Sequence, residues 1–419
     1  MLIVALVIVR VASVTWSATQ RTRSDFFASM PGAYVETLNP ALWNSPDMVD
    51  AWGYHEHTYF HGPIQYLTLY PVALFDTFAR IAAVLLPIYA LLLACTFWML
   101  WRIARHLGAN RNLFVPLLAS TFLFFPLLQA YLQREFEVVL TFAFTAALLL
   151  LLRDHRSRAA AVLAYAAWFK YIPLMFVGYL ASRRWWRAAA VFAVVSVAVL
   201  TVAQLLFGLS NFVNNNVPGY AAQVFVLWGH GFAYDATGHL YGTGFCEGWF
   251  DIGSTHTSLR QGLCAMAAYN RWVHPPLIYL AICATVAAVY LRAHFQLERL
   301  ALPAGAEARR RAVEFSIVAT ICACFFFAHY YYLIVLVIPF NVLLTLYLID
   351  GRYGAFALWA VSYFLVSAFV VPMTLMSRVA GFDVWEPYIW QGWFWYGEIL
   401  LVALLMNEYR RLAAPLTNQ

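Results

Sequence analysis

A chain of 419 residues with 63% apolar and only 11% charged residues does not fit a soluble fold, because soluble proteins carry about 25% charged residues. The net charge of +6 does not indicate nucleic-acid binding, since the 26 basic residues form short clusters between apolar runs. Several of these runs approach the ~20 residues that cross a bilayer. The composition therefore predicts an all-α polytopic membrane protein.

The apolar runs predict a single helical domain over residues 1–419 with about twelve membrane helical segments. Residues 1–17 lack the basic region and the cleavage site of a signal peptide, so they predict an uncleaved first helix. The other full spans are expected at 80–104, 112–131, 136–152, 188–208, 275–292, 312–329, 331–349, 354–376 and 394–410.

The basic clusters determine the expected topology of these spans. The positive-inside rule assigns the clusters to the cytoplasm, at 102–111, 153–158, 183–187, 292–311, 352 and 410–411. The long connections with few positive charges, 18–79, 210–274 and 377–392, are then outer loops. Within the first, residues 63–78 are apolar but short, and they predict a juxtamembrane helix at the outer surface.

Residues 159–181 fit this topology only if they enter and leave the membrane on the cytoplasmic side. As a helix, each half of the segment reaches roughly 16 Å, about half the hydrocarbon thickness. Pro173 favours a break at the tip because it removes a helix donor and restricts the preceding residue. Lys170, the single lysine of the chain, would then face a cavity that opens outward. The alternative is one straight helix with Lys170 extending to the membrane surface.

Two of the six cysteines, Cys246 and Cys264, lie in the outer loop 210–274. An oxidising compartment favours a disulfide between them, and two free thiols are the alternative. The other four lie in predicted spans and are expected to act as small apolar side chains.

A carboxylate opens the first outer loop. Asp25 follows Arg23 and precedes two phenylalanines at the mouth of the first helix. A partly desolvated carboxylate in this position suits a general base. The alternative is that Asp25 caps a helix that begins at Phe26.

Three histidines lie further along the same loop. The spacings of two and four between His55, His57 and His61 do not match the usual zinc-site patterns, and no second cluster complements them. No metal is therefore predicted, and either interfacial histidines or contacts to a phosphate or a sugar are expected instead.

Ionisable residues also occur at the outer ends of later spans. His329 lies in the aromatic run 325–332, beside Tyr330, and an ionisable group at the membrane face is a functional candidate. The alternative is an aromatic belt with the histidine bonded to the backbone. Arg134, Glu135 and Glu137 lie in the tight outer turn 132–137, where solvation and site lining both fit.

The expected topology puts Asp25, His61, Lys170 and His329 on one side of the membrane. Lys170 and His329 suit the phosphate of an anionic lipid-linked donor, while Asp25 takes a proton from an acceptor hydroxyl. The charge that develops on the leaving phosphate is then stabilised electrostatically. The sequence has no Walker A motif and no G-x-G-x-x-G after a strand, so a nucleotide donor is not indicated.

The order of these motifs carries a family resemblance. Asp25–Phe26 opens a long outer loop, and His61–Gly62–Pro63 precedes the juxtamembrane segment. A Lys-x-x-Pro follows in the hydrophobic hairpin, and His329 lies between late spans with Pro339 downstream. In this layout the chain resembles GT-C membrane glycosyltransferases, most closely the polyprenyl-phosphate-mannose-dependent α-mannosyltransferases.

The resemblance implies a GT-C-like helical bundle with an extracytoplasmic active site and a polyprenyl-phosphate sugar donor. It also implies an inverting displacement with Asp25 as the base, and it assigns His329 and Lys170 to the donor phosphate. Relatives often carry paired prolines at the juxtamembrane entry, where this chain has Gly62–Pro63. That difference leaves the assignment of His61 to the donor open.

We therefore expect an enzyme of a bacterial plasma membrane that transfers a mannose-like sugar to a lipid-linked or cell-envelope glycan. The expected partners are the polyprenyl-phosphate donor, the acceptor and membrane lipid, without a cofactor or nucleic acid. Further residues expected to line the substrate site are Arg23, His57, Arg134, Glu135 and Tyr330. The alternatives are a transporter or flippase of lipid-linked sugars and a structural partner in an envelope-assembly complex.

Overall fold

The computed structural model describes the following residues of the chain: 2–20, 68, 78–133, 137–170, 174–207, 231–234, 240–243, 259, 262–264, 274–300, 302–325, 330–368 and 393–413.

Helices dominate the described residues. The α-helices are α1 (Leu2–Gln20), α2 (Phe78–His106), α3 (Phe114–Phe122), α4 (Phe125–Gln133), α5 (Glu137–Leu152), α6 (Arg156–Lys170), α7 (Met175–Ser182), α8 (Trp186–Phe207), α9 (Pro275–Leu297), α10 (Ala304–Cys324), α11 (Val337–Ile349), α12 (Tyr353–Tyr363) and α13 (Trp393–Ala413). Short 3₁₀-helices cover Arg111–Leu113 and Tyr330–Leu336, and a π-helical turn covers Phe364–Ala368.

The lengths and apolar composition of the helices fit a membrane protein. In the described part of the chain, Ala83–His106 and Pro275–Leu297 are long and apolar enough to cross a bilayer, and the bent pair α3–α4 is a third candidate. Shorter apolar helices occur within α1, α5, α8, α11 and α12. The predicted helical membrane fold is thus confirmed, and the count of about twelve membrane segments stays a prediction.

The structure departs from the predicted elements at one expected span and at one long loop. The expected span 112–131 is interrupted between α3 and α4, because Pro126 has no N–H to donate to the Phe122 carbonyl and its ring would clash with that carbonyl in a continuous helix. The long connection 210–274 contains a two-stranded antiparallel hairpin, β1 (Gly231–Tyr234) paired with β2 (Leu240–Thr243). The hairpin is the exception to the predicted all-α fold.

The chain divides into two compact units, each assembled from separate stretches. The first unit contains Met1–Met99 and Leu127–Thr243, and the second contains Leu100–Pro126 and Gly244–Gln419. The prediction of a single domain over 1–419 stays a prediction.

In the first unit, α6 packs between α5 and α8. Its buried face is rich in alanine, including Ala159, Ala160, Ala164 and Ala167, each with no exposed surface. Small side chains let neighbouring helix backbones approach closely, which is a common form of helix packing in membranes. The alanine content of α6 therefore accounts for its central place in this unit.

In the second unit, α11 is the central helix, and all of its residues from Val337 to Tyr347 are buried. A helix that is apolar on every side is buried on every side. Its polar residue Asn341 donates to the Val337 carbonyl at 2.7 Å and accepts a hydrogen bond from the Ser120 hydroxyl at 2.7 Å. These bonds offset the cost of burying the amide.

Ion pairs join the helix ends at one end of the second unit. Arg309 forms a two-bonded ion pair with Asp350 at 2.9 and 3.0 Å, and Arg352 donates to Glu408. The clusters 292–311, 352 and 410–411 thus meet at the same end of this unit. This grouping agrees with the positive-inside rule, which assigned these basic clusters to the same side of the membrane.

Candidate functional site

The segment that carries Lys170 doubles back in the first unit. Helix α6 ends at Lys170, and α7 begins at Met175. The Arg156 guanidinium, at the start of α6, lies 4.8 Å from the centre of the Trp185 ring, just before α8. A straight helix would separate these two residues by roughly 40 Å. The two ends of the segment therefore meet, as predicted, and a single straight helix over 159–181 is excluded.

Lys170 lies at the far end of this doubled-back segment. At about 1.5 Å per residue, α6 extends roughly 22 Å from the end where Arg156 and Trp185 meet. Helix α7 is shorter, with eight residues. The end of α6 is thus well inside the thickness of a bilayer if its beginning lies at the membrane surface.

Aromatic contacts hold the returning helix against its neighbours. The Phe176 ring, in the first turn of α7, packs edge-on against Phe144 of α5, with the ring centres 5.1 Å apart. Tyr179 of α7 packs edge-on against Trp185 at 5.7 Å. Phe176 has no exposed surface. The short helix α7 is thus fixed by buried packing.

A hydrogen bond joins this hairpin to the chain that follows His61. The Thr68 hydroxyl lies 2.5 Å from the Tyr165 hydroxyl, and Tyr165 is five residues before Lys170 on α6. Thr68 belongs to the segment 63–78 that the sequence predicts at the outer surface. The contact therefore joins the chain after His61 to the half of α6 that ends at Lys170.

A buried carboxylate lies at the same end of the first unit. Helices α5 and α6 pack along each other and are joined by the three residues 153–155, so the first turn of α5 is level with the last turn of α6. Glu137 in that first turn is 1% exposed. The sequence groups Glu137 with Arg134 and Glu135 as a candidate for solvation or for site lining, and its burial argues against solvation.

Most of the predicted site residues lie outside the described residues. These are Arg23, Asp25, His57, His61, Arg134, Glu135, Cys246 and His329. Lys170 and Tyr330 are described only as the last residue of α6 and the first residue of a 3₁₀-helix. The roles assigned to all ten stay predictions.

Two further findings concern the disulfide and possible metal ligands. Cys264 is disulfide-bonded, and its pairing with Cys246 stays a prediction because Cys246 is not among the described residues. Within the described part of the chain, no three His, Cys, Asp or Glu side chains group as metal ligands.

A family model described as glycosyltransferase family 87 matches residues 59–327. The matched range includes His61, the hairpin of α6 and α7 and the connection 210–274. It begins after Asp25 and ends two residues before His329. Comparison with curated proteins finds no match.

Proposed function

The chain belongs to glycosyltransferase family 87, a GT-C-type family of membrane glycosyltransferases, and from this premise we propose that it uses a polyprenyl-phosphate sugar donor. The sugar is mannose-like, and the acceptor is a lipid-linked or cell-envelope glycan. The reaction takes place on the outer side of a bacterial plasma membrane.

The observation that carries this proposal is the hairpin of α6 and α7 with Lys170 at its far end. A lysine held inside the membrane thickness is costly unless it meets an anion or water. The hydrogen bond between Thr68 and Tyr165 brings the chain after His61 to the same half of α6. Both features suit a site that holds the phosphate of a lipid-linked donor.

In the proposed reaction, the acceptor hydroxyl gives its proton to the Asp25 carboxylate. The acceptor hydroxyl oxygen forms a bond to the anomeric carbon of the donor sugar, while the bond from that carbon to the phosphate oxygen breaks. The configuration inverts, and polyprenyl phosphate leaves with the additional negative charge. Lys170 and His329, with His61 as a further donor contact, stabilise that charge.

The direct test incubates the purified full chain with a panel of synthetic polyprenyl-phosphate sugars and extracted envelope glycolipids. We expect release of polyprenyl phosphate from the mannose donor together with a glycosylated lipid product. Failure of every donor to react in the presence of these acceptors would contradict the proposal.

Asp25→Asn separates an enzyme from a flippase of the same lipid. Removing a general base typically costs 10²–10⁴-fold in rate, so we expect a loss of that order in turnover with donor affinity retained. The matched control is Asp154→Asn in the turn between α5 and α6, at a positive φ of 62° that asparagine tolerates. Equal activity of Asp25→Asn and wild type would rule out Asp25 as the base.

A further inference from the structure

Two buried polar side chains on α13 have no part in the proposed chemistry. Trp395 and Glu398 are 7% and 2% exposed and lie three residues apart, so they are neighbours on one face of the helix. Trp393 and Tyr396, each 41% exposed, lie on another face. The buried pair therefore points into the second unit.

These two side chains carry hydrogen-bonding groups that the described residues do not satisfy. Neither the indole Nε1 of Trp395 nor either carboxylate oxygen of Glu398 has a nitrogen or oxygen hydrogen-bond partner among them. The Cys324 thiol bonds to the Glu398 carboxylate, but a thiol is a weak donor. Buried polar groups are nearly always fully bonded, so an unbonded indole N–H and a weakly bonded carboxylate on one helix face call for an occupant.

Packing keeps the two groups from turning toward other partners. A Cβ atom on Gly262 would lie 2.2 Å from Cδ1 of Trp395, so the backbone at Gly262 lies directly against the indole. A Cβ atom on Gly397 would lie 2.7 Å from Val366 and 2.9 Å from Leu365. The first turns of α13 are thus held closely on both sides, and the donor and acceptor are fixed in place.

The pair lies where α10 ends. Cys324 is the last residue of α10, and the next residue, Phe325, accepts a hydrogen bond from the Tyr279 hydroxyl at 2.9 Å. The chain then continues to His329, four residues further along. Trp395 and Glu398 are therefore at the end of the unit from which the connection to the predicted donor-binding histidine starts.

From this arrangement we infer that Trp395 and Glu398 form a subsite for a hydroxyl group of the acceptor sugar. A sugar hydroxyl donates one hydrogen bond and accepts others, so it can donate to the Glu398 carboxylate and accept from the Trp395 N–H. The inference rests on the proposed function and adds the residues that recognise the acceptor. A bound water would satisfy the same two groups, and the test below separates these occupants.

The test compares wild type with Glu398→Gln, which keeps the shape but removes the charge, and Trp395→Phe, which removes the N–H. In the transfer assay we expect each variant to raise the acceptor KM about tenfold, with the donor KM unchanged. Glu398→Gln should unfold close to wild type, whereas Trp395→Phe should unfold at a lower temperature because it removes part of a buried ring. The unchanged donor KM then shows that the folded Trp395→Phe protein keeps the rest of the site. Tyr396→Phe, which deletes a hydroxyl from the exposed face of the same turn, is the matched control and should leave both KM values unchanged.

A second measurement keeps this inference separate from the proposed donor chemistry. In nanodiscs, millimolar methyl α-mannopyranoside should raise the unfolding temperature of wild type but not of Glu398→Gln. An acceptor KM that is unchanged in both variants would overturn the subsite and leave a structural water as the occupant. The subsite would also be overturned if the sugar did not shift the unfolding temperature of wild type, or if it shifted wild type and Glu398→Gln equally. If no donor reacts in the transfer assay but the sugar still raises the unfolding temperature of wild type alone, the transfer reaction is contradicted and the subsite is not.

Discussion

Arg310 is a buried charge at one end of the second unit, with a side chain only 4% exposed. Its Nε donates to Glu314 at 2.9 Å, and its Nη2 donates to Glu298 at 2.5 Å. Burial alone lowers the pKa of Arg310, but the attraction and hydrogen bond of Glu314, together with the Tyr409 hydroxyl and the bond to Glu298, raise it above its usual value. Tyr409 also donates to Glu314, at 2.5 Å. The charge is therefore kept in the interior by several partners at once.

Removing this arginine should destabilise the protein strongly. Breaking a buried ion pair from one side leaves an uncompensated charge and costs about 3–5 kcal/mol, so Arg310→Gln should lower the free energy of unfolding by that amount. Arg309→Gln is the matched control, because the pair with Asp350 is about a quarter exposed and such pairs contribute about 0–1 kcal/mol. Thermal and denaturant unfolding in detergent measure both values, and equal losses in the two variants would contradict the assignment.

The sequence identifies some functional candidates at the residue scale but not others. Lys170 is recognisable because it is the single lysine of the chain and lies in an apolar run. Glu398 is not, since one acidic residue near the start of a helix is usually solvated. Its burial depends on contacts with Cys324 and on the close packing at Gly397, which come from distant parts of the chain.

At the scale of elements, most helix positions follow from apolar runs, and their ends depend on local chemistry. The spans expected at 136–152 and 188–208 appear as 137–152 and 186–207. Helix α10 begins at Ala304, eight residues before the expected span. Its added turns are stabilised by ion pairs four residues apart, Glu307 with Arg311 and Arg310 with Glu314. That spacing was visible in the sequence, whereas the 3₁₀ conformation of Tyr330–Leu336 has no comparable signal.

The hairpin of α6 and α7 makes a prediction about accessibility. Arg158→Cys and Arg187→Cys introduce thiols at exposed positions near the two ends of the segment, which meet in the structure. The background lacks the free cysteines of the described residues, Cys95, Cys283, Cys322 and Cys324. In it, both new thiols should react with a membrane-impermeant maleimide added from the cytoplasmic side. The native residues Arg158 and Arg187 are exposed, so the replacements should leave folding unchanged. Reaction of the two positions from opposite sides would show that the segment crosses the membrane.

At the scale of the whole molecule, the basic clusters follow one rule within each unit. In the first unit, Arg156 and Trp185 bring the clusters 153–158 and 183–187 together. In the second unit, the ion pairs of Arg309 and Arg352 bring the clusters 292–311, 352 and 410–411 together. Charge distribution therefore predicted which helix ends meet. It did not predict the division into two units, because interleaved units depend on packing between stretches far apart in sequence.

The proposed transfer reaction requires that Lys170 faces an outer cavity that holds the donor phosphate. Because Lys170 is the single lysine, a membrane-impermeant amine reagent tests this directly on the unmodified protein, with Lys170→Arg as the control for the N-terminal amine. In right-side-out vesicles we expect Lys170 to be labelled from outside, and polyprenyl phosphate to suppress the labelling. Labelling of Lys170 only from the cytoplasmic side, or from neither side, would contradict the account.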